Sequence, residues 1–254
     1  MLISKGDLEW YRSALIDIGE QAAQSVRESL ESSSGSISEM REDAIDSIIT
    51  SIGIYGDQAQ ALAGQLFDEV CAAEGIGANP FELFDDIIDL DMLAGKVRYF
   101  ARSLVESNKV KYLDDCSLLA DFYARRCNYE SMIRNCYKNN VRYARVPTGP
   151  DTCDFCLMLA SRGFVYYDQA RAEEGSHRAC DCVIIPGNGA DATSATQIEG
   201  YDPELLYDLW QGQISDTAHK RASKNGTSYQ VERMRIMDRY SRGSKNARAR
   251  KRLR

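Results

Sequence analysis

Apolar positions recur every three or four residues from the start of the chain. Leu8, Tyr11, Leu15, Ile18, Ala22, Val26 and Leu30 form one stripe, which predicts a helix with a single apolar face, opened by Asp7 as its cap. The stripe ends in Ser32-Ser-Ser-Gly-Ser36. A second begins at Ser38 and carries Ala44, Ile45, Ile48, Ile49 and Ile52; Gly53 and Gly56 are expected to break it before a third segment, Asp57 to Cys71. Beyond the loop Gly75-Ile-Gly-Ala-Asn-Pro80, the stretches Phe81 to Asp89, Asp91 to Ser107 and Leu113 to Asn139 also read as helices. Pro80 is the only proline before Pro147. That scarcity suits a helical domain, because an interior proline costs a helix about 3 kcal/mol.

The texture changes at Arg145-Val-Pro-Thr-Gly-Pro150, where two prolines and a glycine exclude continuous helix. Short segments follow, with Gly163-Phe-Val-Tyr-Tyr167 and Cys182-Val-Ile-Ile185 as strand candidates, then a polar Gly/Asn/Ala/Thr/Ser stretch and a short helix from Pro203 to Trp210. The expected organisation is a helical domain over 1–142, a compact module over 143–187, a linker over 188–200, and a short helix with a basic tail over 201–254. The fold class is mainly α: an N-terminal helical domain, a small α+β zinc-knuckle module, and a basic helical or disordered tail.

No apolar run reaches the roughly 18 to 20 residues a membrane helix needs, and the chain opens into an amphipathic pattern without the apolar core of a signal peptide. No membrane partner is expected, and the product should stay in the cytoplasm where it is made. Charge is unevenly placed. From Lys220 onward thirteen Lys or Arg stand against two acids, giving +11, so a net charge of -7 leaves -18 for residues 1–219. An acidic body and a basic tail meet different partners, or each other.

Eight cysteines without an export signal argue against a disulfide framework. Cys71, Cys116, Cys127 and Cys136 lie singly in helix-like segments and read as small buried hydrophobes. The others cluster. Cys153-x2-Cys156 is followed, after twenty residues, by His177-x2-Cys180-x-Cys182. A Cys-x2-Cys turn brings two thiolates to one point, and a His/Cys cluster further on closes a tetrahedron around Zn²⁺. Five donors for four positions is one too many, so Cys180 and Cys182 compete for the last. Imidazole with mixed thiolates favours zinc over an iron–sulfur cluster, and a closed set of four protein ligands makes the zinc structural. The alternative is a redox pair or a chance cluster.

Other chemistry is thin. A cysteine nucleophile with His177 as base would use a histidine that stands in ligand spacing, and the second histidine, His219, begins the polar tail. There is no Gly-x4-Gly-Lys-Ser/Thr phosphate loop. The tail residues Arg239, Arg242, Lys245, Arg248, Arg250, Lys251 and Arg252 are candidates for neutralising DNA phosphates, or for docking on an acidic protein surface.

The run from Tyr143 to Tyr166, including Pro147-Thr-Gly-Pro150, Cys153-Asp-Phe-Cys156 and Ser161-Arg-Gly163, followed by His177-Arg-Ala-Cys180-Asp-Cys182-Val-Ile-Ile-Pro186, resembles the minor head (head morphogenesis, MuF-like) proteins of tailed bacteriophages and prophages. The resemblance covers about residues 143–186. It implies a minor capsid protein present in few copies in the virion, at the portal vertex inside the capsid. Its expected partners are the portal protein and the scaffold or major capsid protein, and its expected role is head morphogenesis and DNA packaging or ejection. Some relatives in phages of actinobacteria are labelled capsid maturation proteases; no nucleophile and base pair in this sequence supports that activity, which stands as the alternative. A host nucleic-acid-binding zinc protein is a third reading.

Overall fold

The computed structural model describes residues 2–149, 152, 154–166, 182–187 and 197–236. It is mainly helical. The elements in order are β1 (Leu2–Ile3), α1 (Lys5–Glu31), α2 (Ile37–Ser51), a π-helical turn (Ile52–Gly56), α3 (Asp57–Glu74), α4 (Leu90–Phe100), α5 (Arg102–Val105), α6 (Lys109–Lys138), β2 (Tyr143–Pro147), α7 (Asp154–Ala160), β3 (Cys182–Pro186), β4 (Gln197–Ile198) and α8 (Pro203–Asn225). Residues 229–236 are helical as well. Among the described residues no helix is long and apolar enough to cross a membrane.

The chain divides into two compact units. One comprises residues 9–69 and 80–135, the other 1–8, 70–79 and 136–254. The proline-marked boundary at 145–150 falls inside the second.

The first unit is a helical bundle. Its core takes Ala22, Val26 and Leu30 from α1, Ala44 and Ile48 from α2, Leu93 and Val97 from α4, and Tyr112, Cys116, Ala120 and Tyr123 from α6. α6 is buried on several faces, so it is the central helix. Polar groups at its heart are satisfied internally: Tyr11 and Asn128 bond each other, and Asn128 also donates to the Ala59 carbonyl at 2.8 Å. Ser36 caps α2 in a reciprocal box with Glu39.

Three expectations are corrected here. Gly53 and Gly56 do not break the helix; the chain continues through a π-helical turn into α3, because a buried glycine at 56 lets the backbone approach Cys127 closely. Residues 81–89 are not helical: the side-chain amides of Asn135 and Gln60 take the N–H and C=O of Glu82 and Phe84 that a helical ladder would use. The stretch from Asp91 to Ser107 is two helices meeting at Ala101.

In the second unit the chain start is tied down. Leu2 and Ile3 pair in parallel with Gln197 and Ile198, so part of the expected 188–200 linker is a strand, while 188–196 lie outside the described residues. The helix cap is Ser4 rather than Asp7. Ser4 Oγ accepts from the Asp7 N–H at 3.1 Å, the Asp7 carboxylate accepts from the Ser4 N–H at 2.9 Å, and the Glu199 carboxylate accepts from the Lys5 N–H at 2.9 Å. α8 runs fifteen residues beyond the expected end at Trp210. Asp202 caps its start and Gly226, with φ +64°, ends it.

Candidate functional site

The candidate site is built on β2, α7 and β3, all in the second unit. β2 and β3 are antiparallel, with Tyr143 opposite Pro186 and Pro147 opposite Cys182. Val146, Val183, Ile184 and Ile185 are buried, as the apolar pattern of Cys182-Val-Ile-Ile185 requires. Of the other strand candidate, 163–167, the described residues 163–166 contribute a bridge: Tyr166 exchanges backbone bonds with Tyr143 at 2.9 and 3.3 Å, and their rings stack at 5.4 Å, while 167 lies outside the described residues.

α7 follows the Cys-x2-Cys start and ends at Ser161-Arg-Gly163, where Gly163 has φ +67°. A non-glycine residue there would be strained. Two tyrosines satisfy its last carbonyls: Tyr166 Oη donates to Leu159 O at 2.6 Å, and Tyr201 Oη to Ala160 O at 2.7 Å. On its other side α7 places Leu157 against Trp210, Ile214 and Ala218 of α8. The short helix is thus held at its end and along its flank.

Two of the predicted metal ligands are described. Cys156 in α7 and Cys182 at the head of β3 are each fully buried. Cys182 acts electrostatically on both phenols. Burial raises the Tyr166 hydroxyl to about 12, with Arg162 and Arg145 pulling it down and Cys182 pushing it up. Tyr201 is raised in the same sense, first by burial and then by Tyr166 and Cys182. Cys153, His177 and Cys180 lie outside the described residues, as do Arg239, Arg242, Lys245, Arg248, Arg250, Lys251 and Arg252. Among the described residues no group of three or more His, Cys, Asp or Glu is placed to hold a metal ion.

The family model of the VG15 protein matches residues 2–213, from β1 into α8. The chain belongs to the VG15 protein family. The family is phage-associated. No curated protein and no solved structure matches the chain.

In this VG15 family member the four remaining cysteines behave as core residues. Cys71, Cys116, Cys127 and Cys136 are buried. Burial raises the thiols of Cys116 and Cys127 to about 12 and that of Cys136 well above its ordinary range, which makes them poor nucleophiles. His219 stacks its ring on Tyr229 at 4.3 Å. Sequence reading missed the capping tyrosines and the Trp210 floor of the VG15 module. The helix Asp154–Ala160 itself was not read from the sequence, and nothing local marks which hydroxyls reach its carbonyls.

Proposed function

We propose that this VG15 family member is a minor head protein of a tailed phage, a structural component that acts with the portal protein in head morphogenesis and in DNA packaging or ejection. In this reading Cys153, Cys156, His177 and either Cys180 or Cys182 hold one structural zinc, and the basic tail contacts DNA or an acidic protein of the head. Zinc there supplies folding energy and no reaction.

The observation that carries a structural over an enzymatic role is the placement of Cys156 and Cys182. Both thiols sit wholly inside the β2–α7–β3 packing, where a substrate does not reach them. Support for the phage head comes from family membership over residues 2–213 and from the resemblance over 143–186.

The test is co-expression with the portal, scaffold and major capsid proteins of the same phage, purification of particles, and intact-mass measurement of every chain. Recovery of this protein with portal or procapsids, with all chains at full length, is the expected result. Shortening of scaffold or capsid chains only in its presence would overturn the structural reading in favour of a maturation protease.

A further inference from the structure

Two neighbouring helices of the bundle carry opposite charges on their solvent-facing rows. On α2, Glu42, Asp46 and Ile49 recur every three or four residues on the side away from the buried Ala44 and Ile48, and all three are exposed. On α4 and the start of α5, Met92, Arg98, Tyr99 and Arg102 hold the side away from the buried Leu93 and Val97, and they too are exposed. Tyr99 stands 61% open to solvent. α2 packs against α4, so the two rows are neighbours on the surface of one unit.

These charges remain after the unit's internal pairing. Residues 9–69 and 80–135 hold 22 Asp or Glu against 11 Lys or Arg, so a cation there has carboxylates to choose from. Among the described residues five of those cations form ion pairs within the unit. Arg98 and Arg102 form none, and Glu42 and Asp46 meet no cation. Arg102 instead stacks its guanidinium on the Tyr99 ring at 4.8 Å, which keeps its charge on the exposed row.

Two glycines mark where another backbone can come close. Gly95 lies within α4 on the same exposed side, and Gly53 continues the row of α2; a Cβ at either would meet nothing within 4 Å. Glycine weakens a helix interior, and nothing inside the protein requires it at 95. A facing helix that crosses there does require it.

We propose that this face joins two copies of the chain about a two-fold axis, with Arg98 and Arg102 of each copy against Glu42 and Asp46 of the other, and Met92, Tyr99 and Ile49 packed between them. A two-fold contact needs a single self-complementary patch, and adjacent rows of opposite sign at the same one-turn spacing supply it. Exposed ion pairs contribute little singly. Symmetry repeats each of them, and the apolar side chains and open glycines give the contact its packing. This stands independently of the phage-head reading.

Sedimentation velocity of the full chain at low and high salt reads the contact. The expected result is a monomer–dimer equilibrium that moves toward monomer as salt screens the charges. R98E/R102E and E42K/D46K should each be monomeric, and an equimolar mixture of the two should recover the dimer, because each then offers the sign the other lacks. Gly95→Gln puts a better helix former where no internal clash arises; it should keep or raise the Tm and still weaken dimerisation roughly tenfold, an effect that misfolding does not imitate. A chain that is monomeric at every concentration and salt would overturn the proposal, as would a dimer indifferent to R98E/R102E or to Gly95→Gln, which would lie elsewhere on the chain. Growth beyond the dimer would replace the two-fold contact by a head-to-tail one. A monomer that instead binds a fluorescein-labelled single-stranded oligonucleotide through Arg98 and Arg102 would make the occupant a nucleic acid.

Discussion

Gly56 lies against Cys127: a Cβ on the glycine would stand 2.9 Å from the buried sulfur. Real carbon atoms do not come that close, so the buried contact would have to shift. Gly56→Ala is expected to destabilise the protein by about 1–3 kcal/mol, as overpacking does. Cys127→Ala should recover part of that loss in the double variant. Urea unfolding of the four proteins in a double-mutant cycle measures the coupling; strictly additive effects would mean that the contact is not where the cost arises.

Asn135 is fully buried and bonds both backbone groups of Glu82 as well as the Ser131 carbonyl at 2.9 Å. Asn135→Leu keeps the volume and leaves the amide and carbonyl of Glu82 without their partner. The expected cost is about 1–3 kcal/mol per group that water does not reach. Hydrogen exchange should localise the effect, with the Glu82 amide exchanging at least tenfold faster while the amides of α1 and α2 are little changed. Uniform acceleration everywhere would show that the clamp is part of the global core instead.

Tyr201→Phe and Tyr166→Phe each remove one bond to the end of α7 and preserve the ring packing. Each is expected to cost about 0.5–1.5 kcal/mol, read as a lower Tm. The pair should cost less than the sum if one hydroxyl holds α7 in place for the other. A near-neutral Tyr201→Phe would instead place water at the Ala160 carbonyl.

Much of the helical framework was legible because a surface helix shows one apolar stripe: of the stripe read from Leu8 to Leu30, all but the half-buried Ile18 are buried on α1. Segment 81–89 was not, because Phe81, Phe84, Ile87 and Ile88 imitate helical spacing while the groups that hold its backbone out of a helix sit at Gln60 and Asn135, 24 and 53 residues away. α6 was found, but its polar residues Asn128 and Asn135 gave no sign of being core. At the site, the Cys182 strand and the Cys-x2-Cys spacing were readable locally. The caps from Tyr166 and Tyr201 were not, since a hydroxyl carries no mark of the carbonyl it will meet.

Cys116 and Cys127 hold their protons up to about 12 in the folded state, against an ordinary 9.0, and Cys136 is raised in the same sense, in each case mainly by burial. Unfolding releases these thiols to ionise at about 9. The stability they contribute is therefore fully present below pH 9 and is lost as pH rises toward 12, by up to about 1.4 kcal/mol per pH unit for each thiol. Urea unfolding between pH 8 and pH 10.5 should show the decline, and Cys116→Ala should reduce its slope by about one thiol's share. An unchanged slope would exclude Cys116 as a source.

The zinc reading makes the sharpest demand on the module. Cys156 and Cys182 are both buried, so serine at either position disturbs packing as well as ligation, and stability alone does not separate the two roles. Metal stoichiometry does. The purified protein should carry one zinc per chain; Cys153→Ser and His177→Ala should carry none. Of Cys180→Ser and Cys182→Ser, one should lose the metal and the other keep it. Chelation at neutral pH should lower the Tm, because metal bound only to the folded state stabilises it by mass action, and should expose thiols of the cluster to a maleimide that leaves Cys116, Cys127 and Cys136 unlabelled. A metal-free purified protein with the same Tm before and after added zinc would remove the staple and return Cys156 and Cys182 to the status of ordinary core residues.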